Sequence, residues 1–284
     1  MARDVAVVTD STCSLDSGAA AERGIRVVPQ QVMVGEQTFK EGCDIGPAEI
    51  AAALRERTPV TTSQPAPRAF LEAYEAAALA GAPSIVSVHL SGQLSGTVDT
   101  AQVAARDAPV PVEVVDSQTL GMGLGFATLA AAEAAGRHSP LSEVAAVARE
   151  RARRTSALFY VDTLEYLRRG GRIGAAQAFL GTALAVKPLL HLEKGSIQPL
   201  EKVRTATKAV ARLQDLAVAS AGTGPVDIAV HHLANAARAE ELADQLRMRL
   251  PELVELVVCE VGAAIGAHVG PGLLGVIVSP RAIG

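Results

Sequence analysis

The sequence has very little aromatic side-chain surface. Phe, Tyr and Trp make up 3% of its 284 residues, and tryptophan is absent. Hydrophobic residues nevertheless account for 49% of the chain, so its core must consist mainly of alanine, valine, leucine and isoleucine. Sites for bases or sugars usually stack them on aromatic rings, and the composition argues against a site of that kind.

Long runs of positive charge are also missing. The chain has 26 Lys and Arg against 30 Asp and Glu, and no long run of basic residues occurs in it. Proteins that bind nucleic acid neutralise many phosphates with clustered cations. We therefore expect no nucleic-acid partner.

Few cysteines are present, and none forms a CxxC pair. Cys13, Cys43 and Cys259 are widely spaced, which is typical of a reducing compartment. The N-terminal apolar run, Val5 to Val8, is too short for a secretory signal. A cytoplasmic location is the resulting expectation.

One stretch, 261–278, carries no charged residue and approaches the about 20 residues of a membrane helix. Five glycines and Pro271 interrupt it, and both residue types disfavour a long helix. We predict a short helix, a turn and a buried strand there, without stable insertion in a membrane.

Several catalytic and nucleotide motifs are absent. The sequence contains no GxxxxGK[ST] loop, no GxSxG elbow and no HExxH pair. We expect no catalytic metal and no resident cofactor, and any ATP would have to come from a partner.

Apolar β-branched runs alternate with longer alanine-rich amphipathic stretches. This alternation predicts an α/β protein with mainly parallel sheets covered by helices. The length favours two domains, and the basic helix end 149–154 before a new strand suggests the boundary. We predict an N-terminal α/β domain, 1–155, and a C-terminal α/β domain, 156–284.

Hydroxyl residues are concentrated where predicted strands end. The junctions 9–12, 61–65 and 90–97 lie where open α/β sheets bind ligands. In the third, Ser95 and Thr97 flank Gly96 at a predicted helix start, which suits an anion. Ordinary helix capping explains the same pattern.

The second half of the chain offers three further candidates. Arg204 opens a predicted helix, and His268 lies in a glycine-rich turn. Either is also compatible with a purely structural or surface role. The turn with Arg168, Arg169 and Arg172 suits a phosphate, an acidic protein surface or plain solvation.

The motifs taken together resemble those of the DegV family, the fatty-acid-binding subunits of bacterial fatty acid kinases. They follow one another along nearly the whole chain: VVTDST, TTSQP, LSGQLSGT, VVDSQTLGMG, FYVDTLEYLRRGGRIG, LLHLEKGSI, EKVRT and IGAHVGPGLLG. The resemblance implies a two-domain α/β protein with a ligand cleft between the domains. It assigns the fatty acid carboxylate to four residues: Thr62, Ser95, Arg204 and His268.

The resemblance also implies a function. The protein would be a non-catalytic, lipid-binding carrier that presents a long-chain fatty acid to a separate kinase subunit, which supplies ATP and Mg. The arginines 168, 169 and 172 would then form a docking surface for that subunit. Two alternatives remain: a stand-alone transferase or hydrolase that uses Ser95 and His268, and an adaptor that only docks proteins.

Overall fold

The computed structural model describes residues 4–179 and 187–281. In these ranges the strands are β1 (Ala6–Asp10), β2 (Ile25–Val28), β3 (Gln31–Val34), β4 (Gln37–Lys40), β5 (Val60–Ser63), β6 (Ile85–His89), β7 (Val112–Asp116), β8 (Ser156–Tyr160), β9 (Lys187–Glu193), β10 (Ser196–Val203), β11 (Val226–His232), β12 (Leu253–Glu260) and β13 (Leu274–Pro280). The helices are α1 (Ser17–Glu22), α2 (Pro47–Arg55), α3 (Pro67–Leu79), α4 (Thr97–Ala105), α5 (Met122–Gly136), α6 (Leu141–Arg154), α7 (Glu165–Arg169), α8 (Ala206–Ala221), α9 (Ala236–Arg249) and α10 (Ala263–Val269).

The chain forms two compact units. The first consists of Met1–Gln31 and Ser63–Arg153, and the second of Val32–Thr62 and Arg154–Gly284. The predicted boundary at 155/156 lies two residues after the division at 153/154, and residues 32–62, predicted to be in the N-terminal domain, belong with the second unit.

The first unit is built on a parallel sheet in the order β2-β1-β6-β7. Helix α5 has apolar residues on every face, because it packs between this sheet and α6. Parallel strands place their carboxyl ends at one edge, so the loops after β1 and β6 lie side by side. The expectation of a parallel sheet covered by helices is confirmed for this unit.

The main sheet of the second unit has the order β10-β9-β8-β13-β11-β12. Only β11 and β12 pair in parallel, and the other four pairs are antiparallel. A two-residue turn joins β9 to β10, with positive φ at Lys194 and Gly195, and such turns connect antiparallel strands. The α/β class is confirmed, whereas the expectation of a mainly parallel sheet holds only for the first unit.

Residues 32–62 form a small layer of their own, a sheet in the order β4-β3-β5 together with α2. Ile50 and Leu54 of α2 share one core with Ala263 and Ala264 of α10. Burial of this apolar face groups the segment with the second unit, although it precedes most of the first unit in sequence.

The uncharged stretch near the C-terminus folds as α10, a turn and β13, as predicted. No helix within 4–179 and 187–281 combines the length and the apolar character needed to cross a membrane.

Candidate functional site

Thr62 and His268 are joined by a hydrogen bond in the second unit. Thr62 lies in β5, His268 lies near the end of α10, and 2.7 Å separates Thr62 Oγ1 from His268 Nε2. Burial lowers the pKa of His268 to about 4, and the positive charge of Arg172 adds to the shift. The imidazole is therefore neutral at pH 7 and has one N–H group to donate.

The packing of the ring determines which nitrogen carries that hydrogen. Nδ1 of His268 is buried and has no hydrogen-bond partner in the described part of the chain. It faces Gly170, where a Cβ atom would lie only 2.0 Å away. A buried N–H without an acceptor costs about 1–3 kcal/mol, so we place the hydrogen on Nε2. Nε2 then donates to Thr62, and the hydroxyl hydrogen of Thr62 remains available for a ligand.

The turn after α10 requires glycine at its first position. Gly270 has a φ of +75°, and a Cβ atom there would lie 2.1 Å from Cδ2 of Tyr166. Tyr166 belongs to α7, which leads directly into the turn that contains Gly170. The arginine-rich turn and the turn that follows His268 are therefore packed against each other.

Glu41 fixes the opposite end of α10. Its side chain is buried, and Oε1 accepts the backbone N–H of Ala264 at 2.7 Å. A carboxylate is favourable at this position because the first N–H groups of a helix have no partner within it. This bond ties residues 32–62 to α10 and helps to bring Thr62 to His268.

Ser95 lies in the first unit, between β6 and α4. Its Oγ is 2.8 Å from Oγ1 of Thr97, the residue at which the helix begins. Thr97 is fully buried, and its Oγ1 accepts a hydrogen bond from Nε2 of Gln30 at 3.1 Å. The helix start was predicted correctly, but the hydroxyl of Thr97 points inward and is engaged by Gln30. Ser95 is the more exposed of the two hydroxyls.

A buried carboxylate supports the loop that carries Ser95. Oδ2 of Asp10 accepts the backbone N–H of Leu90 at 3.1 Å and lies 3.0 Å from Nδ1 of His89. Burial by itself raises the pKa of Asp10, but the bonds from His89, Thr12 and Leu90 outweigh it, so the pKa lies below its usual value. Asp10 thus joins the end of β1 to the end of β6 as an ionised acceptor.

Arg204 lies directly after β10 and is exposed. Its side chain makes no hydrogen bond or ion pair with another residue in 4–179 or 187–281. The neighbouring Thr205 caps α8 by accepting the N–H of Lys208 at 3.3 Å. The guanidinium is therefore not committed to a described protein group.

The three arginines of the basic turn have different surroundings. Arg168 and Arg169 are exposed and both pair with Glu165, at 2.8 and 2.7 Å. Arg172 is less exposed, and its Nη1 donates to the carbonyl of Gly170 at 2.7 Å. Arg172 is thus near His268, whereas the other two arginines face solvent on α7.

A contact between a histidine and a cysteine in the second unit shows no sign of a reactive thiol. Sγ of Cys259 lies 3.3 Å from Nδ1 of His231. Burial raises the pKa of the thiol to about 12 and lowers the pKa of the imidazole to about 4. Both groups are therefore neutral at pH 7. In the two described ranges, no group of three or more His, Cys, Asp and Glu residues is arranged to hold a metal ion.

The model of the DegV family matches residues 4–281. The chain belongs to the DegV family. A DegV domain-containing protein of Streptomyces coelicolor is 59% identical over 281 residues, which cover 99% of this chain and 100% of that protein.

Solved DegV structures share the fold. One is a DegV family protein from Thermus thermophilus, whose structure is described as showing fatty acid binding. It has a TM-score of 0.92 and 36% identity, and the match covers 98% of this chain and 100% of that chain. DegV of Bacillus subtilis, described as a fatty acid binding protein, has a TM-score of 0.90 and 31% identity, with 98% and 100% covered. The two-domain α/β architecture is thus common to the family.

Three residues of this DegV chain that organise the candidate site were not singled out from the sequence. Gln30 lies in a polar break within the apolar run 25–34, and that break was a usable signal. Gly170 belongs to the basic turn, and its glycine pair with Gly171 next to arginines is a signal of close packing. For Glu41 the sequence gives no signal, because its partner Ala264 is 223 residues away.

Proposed function

We propose that this protein binds a long-chain fatty acid and presents its carboxylate to a separate ATP-dependent kinase subunit. Two solved relatives at 36% and 31% identity are described as fatty acid binding, and each is covered over its full length. That level of similarity over whole chains supports the same class of ligand here.

The carboxylate site consists of Thr62, Ser95, Arg204 and His268, and His268 acts through its hydrogen bond to Thr62. A carboxylate that leaves water needs hydrogen-bond donors and a positive charge to replace its hydration. Two features supply these: the hydroxyl hydrogen of Thr62, which His268 does not need, and the uncommitted guanidinium of Arg204. The bond between Thr62 and the neutral His268 carries the proposal, since it leaves the hydroxyl of Thr62 as a donor.

Most of the affinity comes from the acyl chain. Burial of apolar surface contributes about 0.8 kcal/mol per methylene group, so a long chain outweighs any single headgroup contact. The headgroup residues set the orientation of the acid and discriminate against uncharged lipids.

The chemical step belongs to the partner. A carboxylate oxygen attacks the γ-phosphorus of ATP, the bond from that phosphorus to the ADP oxygen breaks, and an acyl phosphate and ADP result. The sequence has no P-loop, so ATP and Mg come with the kinase subunit. Arg168 and Arg169 face solvent on α7 and are the docking candidates, together with Arg172 at the edge next to His268.

A hydrolase that uses Ser95 and His268 fits the structure less well. In a serine hydrolase an acidic group accepts the Nδ1–H of the catalytic histidine and so fixes its tautomer. Here Nδ1 of His268 has no partner in the described ranges and faces Gly170 instead. No observation favours the adaptor function over the carrier.

Lipid identification tests the binding proposal. We expect mass spectrometry of the purified protein to find one long-chain fatty acid per chain, and the delipidated protein to take one up again. Thr62→Val keeps the shape of the side chain but removes the donor, and we expect about tenfold weaker binding of the acid with little change for its methyl ester. Absence of fatty acid, with no uptake from solution, would contradict the proposal.

Docking is tested by charge reversal at Arg168 and Arg169. Arg172 is left intact because it influences His268. We expect Arg168→Glu with Arg169→Glu to keep its fatty acid but to slow acyl-phosphate formation by a purified bacterial fatty acid kinase subunit. Arg153→Glu is the matched control, since Arg153 also pairs with a glutamate one helical turn away, in the first unit. Equal rates for both variants would remove α7 from the docking surface.

A further inference from the structure

We propose that Gln30 and Thr97 are positioning residues that fix the hydroxyl of Ser95 as a hydrogen-bond donor to the ligand. This inference rests on the proposed function, because it concerns how one of the four headgroup residues is prepared. Neither residue touches the ligand, and both act through Ser95.

The direction of the hydrogen bonds follows from burial. Thr97 is fully buried, and Gln30 is nearly so. The amide Nε2 of Gln30 can only donate, so Oγ1 of Thr97 accepts at 3.1 Å. The hydroxyl hydrogen of Thr97 also needs an acceptor, and within 4–179 and 187–281 its remaining partner is Oγ of Ser95, at 2.8 Å. Thr97 therefore donates to Ser95.

Ser95 is left with its own hydroxyl hydrogen, which is not required by Thr97. The bonds run in one direction, from the amide of Gln30 to Thr97, then to Ser95 and finally to the ligand. A donor that is already oriented does not lose rotational freedom when the carboxylate arrives. Hydrogen bonds arranged in sequence also polarise one another, which strengthens the last donor.

Gln30 is itself held in place. Its backbone N–H donates to Oγ of Ser11 at 2.9 Å, and Ser11 begins the turn directly after β1. The side chain then reaches Thr97 at the start of α4. Gln30 therefore links three segments of the first unit at the carboxyl edge of its sheet, where the Ser95 loop lies.

A double-mutant cycle on delipidated protein tests the inference, with palmitate and methyl palmitate as the probes. We expect Thr97→Val to weaken palmitate binding about tenfold, methyl palmitate to bind nearly as before, and Thr97→Ser to restore palmitate binding. In the Ser95→Ala background, Thr97→Val should cause no further loss, because its effect passes through Ser95. Thr100→Val is the matched control, since the hydroxyl of Thr100 donates to the carbonyl of Gly96, the residue that precedes the same helix.

Two results would overturn the inference. An additive loss in the Ser95→Ala background would mean that Thr97 acts independently, and tighter palmitate binding by Thr97→Val would mean that the bonds run in the opposite direction. If Thr97→Val does not fold, Gln30→Met in the same cycle replaces it, with an expected loss of about threefold. Wild-type protein that binds no palmitate would instead refute the proposed function, so the two failures are distinguishable.

Discussion

Ser95 in the first unit and Thr62 in the second each have a hydroxyl oxygen that accepts a hydrogen bond from a neighbouring side chain. The two donors differ in kind. Ser95 depends on a threonine and an amide, neither of which titrates. Thr62 depends on an imidazole whose pKa is lowered to about 4. The first arrangement is insensitive to pH, whereas the second requires a histidine that stays neutral.

The two arrangements also differ in how their parts meet. Ser95 and Thr97 are two residues apart, so a local loop and a helix start bring them together. Thr62 and His268 are 206 residues apart and meet because the segment 32–62 packs on α10. The second arrangement is therefore the more sensitive to changes in packing.

Of the variants considered, Gly170→Ala should change stability and binding the most. A methyl group there would lie 2.0 Å from Nδ1 of His268, so the ring must move away from Thr62. We expect a loss of about 3 kcal/mol in the free energy of unfolding and weaker binding of fatty acid. Chemical denaturation and palmitate binding measure the two effects.

The control for this change is Gly136→Ala. Gly136 ends α5, and apart from its own helix no atom in 4–179 or 187–281 lies within 4 Å of the position that its Cβ would occupy. We expect this variant to be as stable as the wild type. Equal behaviour of the two alanine variants would show that the ring of His268 does not need the space at Gly170.

The pH dependence of stability should show the second largest effect, and it distinguishes the Thr62 arrangement, which contains a histidine, from the Ser95 arrangement, which does not. The pKa of His268 is about 4 in the folded chain and about 6.5 when unfolded, so the unfolded state takes up a proton first as the pH falls. Stability should therefore be lost from about pH 6.5 down to about pH 4, by on the order of 1 kcal/mol per pH unit.

His268→Gln should reduce this slope, because glutamine keeps a donor near the position of Nε2 but does not titrate. His231, whose pKa is also lowered to about 4 by burial, should keep its own contribution. Ser95→Ala should have the slope of the wild type. Urea titrations of delipidated protein at pH 7 and pH 5 measure it, and identical slopes for all three proteins would exclude a role for His268.

Glu41→Ala should have a smaller effect, confined to the second unit. The change removes the acceptor for the backbone N–H of Ala264, which should cost about 1 kcal/mol. We expect weaker binding of palmitate through the position of His268, with Glu49→Ala as the control, since Glu49 caps the exposed start of α2. Equal losses of affinity in both variants would show that the start of α10 is not specially linked to the site.

The smallest change is expected for Arg168→Ala. Arg168 is exposed and pairs with Glu165 on its own helix, and such surface pairs contribute about 0.5 kcal/mol or less. Stability and fatty acid content should match the wild type. A clear loss of stability or of fatty acid would mean that Arg168 contributes to folding or to lipid binding and does not serve for docking alone.

The sequence predicted the α/β class, the parallel first sheet and a helix start at Gly96, one residue before α4 begins, because these depend on local periodicity and capping. It did not predict that the run 25–34 divides into β2 and β3, although Pro29 lacks an N–H for strand pairing. Nor did it predict β4, β5 or the packing of residues 32–62 on α10. The partners in these contacts are distant along the chain, and no local pattern encodes them.

The candidate site divides in the same way. Ser95 and Thr97 were recognisable from residue types at a predicted helix start. The contact of His268 with Thr62 and Gly170 depends on the tertiary structure, and so do its neutral state and its tautomer.

A crystal structure of the protein saturated with palmitate tests the central claim most directly. We expect carboxylate oxygens within hydrogen-bond distance, about 2.7 Å, of Thr62 Oγ1 and Ser95 Oγ, with the guanidinium of Arg204 alongside. A palmitate bound elsewhere, or one whose carboxylate contacts neither hydroxyl, would contradict it.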